Sequence, residues 1–223
     1  MHIPDGYLCT EVWTATSVAG AAAAACALRR TRTELSRPQV PAAALTGAFI
    51  FAAQMLNFTI DGGTSGHFLG SALAAILFGP WTAAAIMTAV LILQSVLFHD
   101  GGITALGANI LCTAVIGSFA GYGVYKAALR LMKGRLRAVA SFAAAWVSIV
   151  AAACGVALLL ALSGAAAPGA VLGAMFGWHA LIGIGEGLIT TAAALCLTER
   201  GTMRARSDGS FRDGARVRGG APA

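Results

Sequence analysis

The first notable feature of this 223-residue chain is its lack of charge. Only 11% of its residues are Asp, Glu, Lys or Arg, whereas 58% are hydrophobic. Soluble domains average about 25% charged and 45–50% apolar residues, so the composition excludes an ordinary soluble protein and indicates a membrane protein. At about 20 residues for each membrane span, the length allows about six to eight spans and no second soluble domain.

Motifs typical of redox proteins and nucleotide-binding enzymes are also missing. The five cysteines form no C-x-x-C pair and mostly lie in apolar runs, so we expect small core residues. The chain contains no G-x-x-x-x-G-K-[ST] sequence, which argues against ATP binding through a P-loop. No organic cofactor is expected. No secretory signal is recognisable, because the first basic residues, Arg29 and Arg30, follow the first apolar run.

The fifteen Lys and Arg residues fall into three clusters, at 29–37, 126–137 and 200–218. Cytoplasmic loops of membrane proteins collect Lys and Arg, so all three clusters should lie on the same side of the membrane. The net charge of +6 is then a consequence of topology, and no nucleic-acid partner is expected.

Seven spans satisfy this constraint, because four crossings then separate the first two clusters and two separate the last two. Gly79 and Pro80 divide one long apolar stretch, since glycine suits a helix end and proline does not continue a helix. The predicted spans lie near residues 11–28, 38–57, 66–79, 81–98, 103–125, 138–163 and 170–198.

The predicted fold is therefore an all-α polytopic protein of the cell membrane, with seven transmembrane helices. Its N-terminus should lie outside and its C-terminus in the cytoplasm. A membrane domain, 1–198, should precede a basic disordered tail, 199–223. The predicted outer side contains no Lys or Arg, but it collects carboxylates and three of the four histidines, so it should attract cations.

The first two residues, Met1 and His2, offer a metal chelate. A free α-amine, the amide nitrogen of residue 2 and the Nδ1 atom of a residue-2 imidazole can bind one ion through a five-membered and a six-membered ring. A fourth nitrogen would complete a square, which Ni(II) and Cu(II) prefer, whereas zinc usually takes tetrahedral sites. Because the amide must lose its proton, binding is coupled to proton release. The chelate requires that Met1 is retained with a free amine. The alternative interpretation is that His2 is an incidental surface residue.

Two glycine-rich segments place further histidines near the outer side. GGTSGHFLG, at 62–70, puts His67 at the entry to the third span. Its glycines, Gly62, Gly63 and Gly66, allow tight turns and a close approach of the backbone to another segment. FHDGGITALGAN, at 98–109, forms a similar outer loop.

The last span contains ionisable residues as well. WHALIGIGEGLIT, at 178–190, places His179 and Glu186 on one helix face. Ionisable side chains within a span usually face the bundle interior or a functional path. Glu186 is therefore expected to have either a functional or a polar packing role.

Four motifs follow one another along the chain: MHIPDGYL at 1–8, QMLNFTIDGGTSGHFLG at 54–70, LFHDGGITALGAN at 97–109 and HALIGIGEGLIT at 179–190. Together they resemble the nickel- and cobalt-binding membrane subunits, called S or M components, of energy-coupling factor (ECF) transporters. The resemblance covers nearly the whole chain up to about residue 198. It implies seven helices, with the N-terminal segment inserted into the outer half of the bundle. It also implies that the ion is held by the Met1 amine, the His2 amide nitrogen and imidazole, and the His67 imidazole.

The resemblance gives no ligand role to His99 or His179, which are interpreted either as ion-path or outer-sphere residues or as structural ones. Outer-sphere groups should orient the ligating imidazoles through their other ring nitrogen. Four residues are candidates for this role: Asn57, Thr64, Ser65 and Asp100.

The resemblance further implies an uptake system with separate partner chains. These are a transmembrane coupling protein and a pair of ATPases. Because the chain ends in a polar tail, any small accessory membrane subunit should be a separate chain as well. The planar ligand set suits Ni²⁺ best and accommodates Co²⁺ next, and MHIPDG is more typical of the nickel branch.

Two other functions stay open on the sequence alone. GTSGH, at 63–67, looks like a nucleophile turn, and Ser65 with His179 as base could form an intramembrane serine protease. A stand-alone metal permease or channel would instead take up ions without ATPase partners.

Overall fold

The computed structural model describes residues 1–60, 64–133 and 136–199. Two antiparallel strands, β1 (Phe58–Ile60) and β2 (Thr64–Gly66), form a hairpin. The last 24 residues of the predicted basic tail, 200–223, lie outside the described part of the chain. The helices are α1 (Thr10–Glu34), α2 (Val40–Gln54), α3 (Ser71–Phe78), α4 (Pro80–Phe98), α5 (Leu106–Leu131), α6 (Arg137–Leu162) and α7 (Pro168–Glu199).

Five of these helices, α1, α4, α5, α6 and α7, are long and apolar enough to cross a membrane. By contrast, α2 has 15 residues and α3 has eight. At 1.5 Å per residue, eight residues reach only about 12 Å, less than half of a hydrocarbon layer of about 30 Å.

The predicted third span, 66–79, is wrong as a continuous helix. Residues 64–66 pair with β1, and the helix begins only at Ser71. Gly70 precedes it with φ +81, a left-handed conformation that interrupts helical geometry. All eight residues of α3 are buried, so this short helix is a central element of the bundle.

The break between the third and fourth helices is confirmed. Gly79 adopts φ +89, and Pro80 is the first residue of α4. Other boundaries differ from the sequence-based ones. α1 continues beyond residue 28 to Glu34, since its arginines are good helix formers, and α5 covers 106–131 instead of 103–125.

Two helices contain π-helical segments, which the periodicity did not reveal. The last turn of α4, Gln94–Phe98, is π-helical, and so is the stretch Ile110–Ile116 within α5. Such insertions are frequent at functional sites.

Glycines allow close packing in two places. A Cβ on Gly20 of α1 would lie 2.6 Å from the carbonyl oxygen of Gly107 in α5, and a Cβ on Gly107 would overlap the main chain of α1. In α7, the GIGEG stretch lies under aromatic side chains of α6. A Cβ on Gly183 would lie 2.9 Å from Trp146, and one on Gly187 would lie 2.6 Å from Phe142. GIGEG is therefore a helix-packing segment.

The expectation of core cysteines holds only for Cys112, which is buried. Cys26 and Cys196 are exposed, and Cys9 and Cys154 are half-buried. All five are free thiols. In an apolar helix facing lipid, an exposed cysteine is a small apolar residue like its neighbours.

The α1–α5 contact predicts that Gly107→Ala lowers the free energy of unfolding by about 1–3 kcal/mol, because the added methyl group meets main-chain atoms. Gly123→Ala is the matched control, since Gly123 lies on the same helix with no atom within 4 Å of its Cβ position. It should be neutral or stabilising by up to about 1 kcal/mol. Thermal unfolding of the detergent-solubilised protein provides the measurement, and equal stability of the two variants would contradict the prediction.

Candidate metal site

The N-terminal segment is inserted into the protein, with Met1, His2 and Ile3 buried. Asn109 holds it through both of its amide atoms. Its Oδ1 accepts a hydrogen bond from the Ile3 amide at 2.8 Å, and its Nδ2 donates to the Ile3 carbonyl at 3.1 Å. The Gly102 amide donates to the same carbonyl at 2.9 Å. The main chain of Ile3 is thus paired as it would be in a sheet.

Asp5 fixes the C-terminal end of this segment. Its carboxylate accepts hydrogen bonds from the Thr104 hydroxyl, from the Thr104 amide at 2.8 Å and from the Ile103 amide at 3.1 Å. These bonds, the hydroxyl one above all, lower the pKa of Asp5. A Cβ on Gly102 would overlap the main chain at Asp5, so the loop after α4 can approach this closely only with glycine.

The Met1 amine lies inside the site and contacts Ser65. It donates to the Ser65 carbonyl and, at 2.6 Å, to the Ser65 hydroxyl oxygen. Burial lowers the pKa of the amine well below its ordinary value, against the attraction of Asp100. The amine therefore gives up its proton readily and can offer a nitrogen lone pair.

The imidazoles of His2 and His67 lie next to each other, with ring centroids 4.6 Å apart. The Nδ1 atom of His67 is 2.7 Å from the Phe68 carbonyl. It donates to that carbonyl, which leaves the lone pair on Nε2. Both Nε2 atoms are buried and have no hydrogen-bond partner in the described structure. Unpaired buried acceptors are rare in proteins, so two adjacent ones indicate a ligand site.

Asp100 touches the site from the end of α4. One carboxylate oxygen lies 3.1 Å from His2 Nδ1, and the other accepts a hydrogen bond from Asn57 at 3.3 Å. Burial raises the pKa of Asp100, but the hydrogen bond with His2 and nearby positive charge outweigh that effect, so the pKa lies below its ordinary value. For His2, burial dominates and lowers the pKa. The pair therefore consists of a carboxylate and a neutral imidazole at neutral pH.

Most of the predicted site residues come together here, although not all. Met1, His2 and His67 adjoin Ser65 and Asp100, and Asn57 contacts the site through Asp100. Gly66 belongs to β2, opposite Phe58. Gly62, Gly63 and the side chain of Thr64 lie outside the described residues.

His99 and His179 have opposite environments. His99 is exposed at the end of α4, with φ +53, so it is not part of the buried cluster. His179 is fully buried, and its Nδ1 lies 2.8 Å from the Met175 carbonyl. Its Nε2 is another buried nitrogen without a partner in the described chain.

Glu186 is engaged with the main chain. Its two carboxylate oxygens accept hydrogen bonds from the amides of Leu69 at 2.8 Å and Gly70 at 2.9 Å. These amides precede α3, where the positive end of the helix dipole favours a carboxylate. Its role is therefore to hold the segment after His67.

The described structure contains no serine–histidine dyad at Ser65 and His179. The Ser65 hydroxyl contacts the Met1 amine, whereas His179 lies near the main chain of Ser65, and within the described residues its Nε2 forms no hydrogen bond with the hydroxyl. Without a base at the hydroxyl, the nucleophile of the proposed protease is not activated.

No group of three or more His, Cys, Asp or Glu side chains in the described residues has the arrangement of a metal site. The predicted chelate requires only two imidazoles, because the other two nitrogens belong to the main chain. Sequence reasoning did not identify Asn109, Gln54 or Asp5 as residues that support the site. A polar amide within an apolar run, as at Asn109 in ALGANILC, was the available signal.

Comparisons with known proteins identify relatives that are named as metal transport proteins. A family model described as the cobalt uptake substrate-specific transmembrane region matches residues 2–203. A putative metal transport protein of Haloquadratum walsbyi is 42% identical over 192 residues, which are 85% of this chain and 86% of that protein. A putative fused nickel transport protein NikMN of Archaeoglobus fulgidus is also 42% identical over 192 residues, 85% of this chain but only 63% of the fused relative.

A solved structure supports the same assignment at the level of the fold. The crystal structure of a truncated transition metal transporter superposes with a TM-score of 0.84 and 34% sequence identity. The match covers 90% of this chain and 99% of that one. Since the family model covers nearly all of the described residues, the chain belongs to the family of cobalt uptake substrate-specific transmembrane regions.

Proposed function

We propose that this chain is the substrate-binding subunit of an ECF-type uptake system for divalent transition-metal ions, with Ni²⁺ preferred and Co²⁺ next. The observation that carries the proposal is the burial of the Met1 amine and of two adjacent imidazoles, His2 and His67, with the amine bonded to Ser65, two residues before His67. The family match and the named nickel and metal transport relatives support the substrate class.

The proposed ligands are the Met1 amine, the amide nitrogen and Nδ1 of His2, and Nε2 of His67. His67 fits the fourth corner because the Phe68 carbonyl holds its Nδ1 proton and leaves Nε2 free. Such a bond also makes the ligating nitrogen more basic. His2 Nδ1 faces Asp100, so chelation requires the ring to turn about its Cβ–Cγ bond and release that carboxylate.

The charge of the site suits a divalent cation. The proposed ligands are neutral before binding, and the His2 amide becomes negative when it loses its proton. Asp100 adds a second negative charge at the edge of the site, with Asn57 and Ser65 as neighbouring polar groups. His179, buried beside this cluster with an unpartnered Nε2, is the described residue best suited to an ion path.

Planar nitrogen ligation favours Ni²⁺ over Co²⁺ and disfavours zinc. The metal preference is therefore proposed from the ligand set. The nickel transport relative agrees with it, while the family description refers to cobalt.

The proposed topology has seven crossings of the cell membrane, with the N-terminus outside. The segment 64–70 together with α3 would make the third crossing, and α2 the second. The cationic ends of the helices support this arrangement. Arg30 of α1 lies 5.9 Å from the ring of Trp81 at the start of α4, and the Thr31 hydroxyl donates to the Trp81 carbonyl. Each is the end of its helix opposite to a metal-binding segment, since α1 begins after residues 1–8 and α4 ends at residues 97–109, so both ends fit the cytoplasmic side.

Transport requires partners in this proposal. The chain contains no P-loop, so ATP hydrolysis is assigned to separate ATPases that act through a transmembrane coupling protein. A small accessory membrane subunit is proposed as a further partner.

A single glycine added ahead of Met1 is expected to abolish metal binding. The amine would move away from its buried position against Ser65 and could no longer close the five-membered ring. Mass spectrometry first establishes that the unextended protein retains Met1 with a free amine. After loading with Ni²⁺ and washing, that protein should hold about one ion per chain and the extended one almost none. Equal metal content would show that the amine is not a ligand.

Asp100→Asn should weaken Ni²⁺ binding by about tenfold, because the carboxylate, although released by His2, still attracts the cation from the edge of the site. The change removes a negative charge beside His2 and keeps the side-chain shape. His99→Asn is the matched control, because the neighbouring His99 is exposed, and its dissociation constant should equal that of the wild type. Competition titration with a chelator measures both, and an unchanged affinity of Asp100→Asn would contradict the role of the carboxylate.

Uptake into lipid vesicles distinguishes the transporter subunit from a stand-alone permease. The chain alone should bind Ni²⁺ without accumulating it inside, since no energy source acts on it. Addition of the coupling protein, the ATPases and ATP should produce uptake. Accumulation of Ni²⁺ by the chain alone would favour the permease.

A further inference from the structure

The segment that follows His67 is held by hydrogen bonds at each successive peptide. His67 donates to the Phe68 carbonyl, and Glu186 of α7 accepts from the amides of Leu69 and Gly70. One polar group in this segment, the Leu69 carbonyl, faces another helix, α2.

Gln54, the last residue of α2, donates from Nε2 to the Leu69 carbonyl at 2.6 Å. Its other amide atom, Oε1, accepts a hydrogen bond from Gln94 Nε2 at 2.9 Å. Both glutamines are completely buried. Because each amide atom of Gln54 has a defined partner, the side chain can take only one orientation.

Gln94 connects this pair to the part of the site on α4. It is the first residue of the π-helical turn, and its carbonyl accepts a hydrogen bond from the Asp100 amide at 3.1 Å. The connection therefore runs from the Asp100 main chain through Gln94 and Gln54 to Leu69, two residues after His67.

The stability of the fold does not by itself explain why Gln54 and Gln94 are buried together. The Oε1 atom of Gln94 is buried and has no hydrogen-bond partner within the described part of the chain. A buried acceptor without a partner is unfavourable, and buried polar networks serve to specify one arrangement. An apolar residue at position 94 would avoid that unfavourable acceptor.

We propose that Gln54 and Gln94 are positioning residues of the metal site, which fix the His67 imidazole relative to the end of α4 that bears Asp100. The inference rests on the proposed metal-binding function and goes beyond it, since neither glutamine touches the ion. Loss of the pair should leave the protein folded and loosen the geometry of the fourth ligand.

The test compares Gln54→Leu with Thr46→Val in the full-length protein. Thr46 is a buried polar residue of the same helix, and its hydroxyl bonds only to the Ala42 carbonyl within α2 in the described structure. Each variant is titrated with Ni²⁺ against a competing chelator, and the visible absorption of bound Ni²⁺ reports on planar coordination. Thermal unfolding without metal serves as the separate measure of stability.

Gln54→Leu should weaken Ni²⁺ binding by about 10–100-fold and alter the absorption spectrum of the bound ion. Its unfolding temperature should also fall below that of Thr46→Val, because the Leu69 carbonyl and Gln94 Nε2 lose their partner, so the spectrum of the folded protein is the decisive measurement. Thr46→Val should bind as the wild type does. Because Gln94 acts through Gln54, the double variant Gln54→Leu/Gln94→Leu should bind no more weakly than Gln54→Leu alone. If Gln54→Leu does not fold, Gln94→Leu provides the same test, with a smaller loss of affinity expected.

Wild-type affinity and spectrum in Gln54→Leu would overturn the inference and leave the proposed function intact. An equal loss of affinity in Thr46→Val, or additive losses in the double variant, would also overturn it. If the wild-type protein with a free Met1 amine holds no metal, the proposed function fails, and the positioning role fails with it.

Discussion

The site depends on the burial of the first three residues, because a chain terminus can enter a protein only if its main chain finds hydrogen-bond partners there. Each buried polar group without one costs about 1–3 kcal/mol. Asn109 satisfies both main-chain groups of Ile3, and Gly102 adds a second donor to its carbonyl. This arrangement brings the loop before α5 against the N-terminal segment, and α5 itself approaches α1 where Gly20 meets Gly107. The close packing of α1 on α5 and the position of the Met1 amine therefore depend on each other.

The polar groups around the site are held mainly by main-chain atoms and neutral amides. The Met1 amine bonds to Ser65, His67 to the Phe68 carbonyl, and Gln54 to the Leu69 carbonyl. No Lys or Arg occurs in the segments 1–10, 54–70 or 97–109 that form it. Because no Lys or Arg lies in these segments, no fixed positive charge repels a cation from the neutral imidazole nitrogens.

Irregular helical geometry occurs in both helices that flank the loop 99–105, which contacts the N-terminal segment through Gly102 and Thr104. The π-helical turn of α4 begins at Gln94, and the π-helical stretch of α5 directly follows Asn109. A π-helical insertion changes which side chains face the interior over the following turns. These two amides support the site from neighbouring helices, so the irregular segments and the polar interior belong together. Neither the π-helical segments nor the buried amides could be predicted from a regular apolar periodicity.

Composition and local pattern determined the membrane class, the division at Gly79 and Pro80, and the family, because each depends on residue types or on neighbours in the chain. The basic clusters likewise predicted a topology, and MHIPDGYL with His67 predicted a ligand set. Only the tertiary structure decided that α3 is eight residues long, that His99 is exposed whereas His67 is buried, and that Glu186 holds the amides of Leu69 and Gly70. The supporting contacts of Asn109 with Ile3 and of Gln54 with Gln94 join residues far apart in sequence. Such contacts arise from the packing of whole helices, so no local pattern contains them.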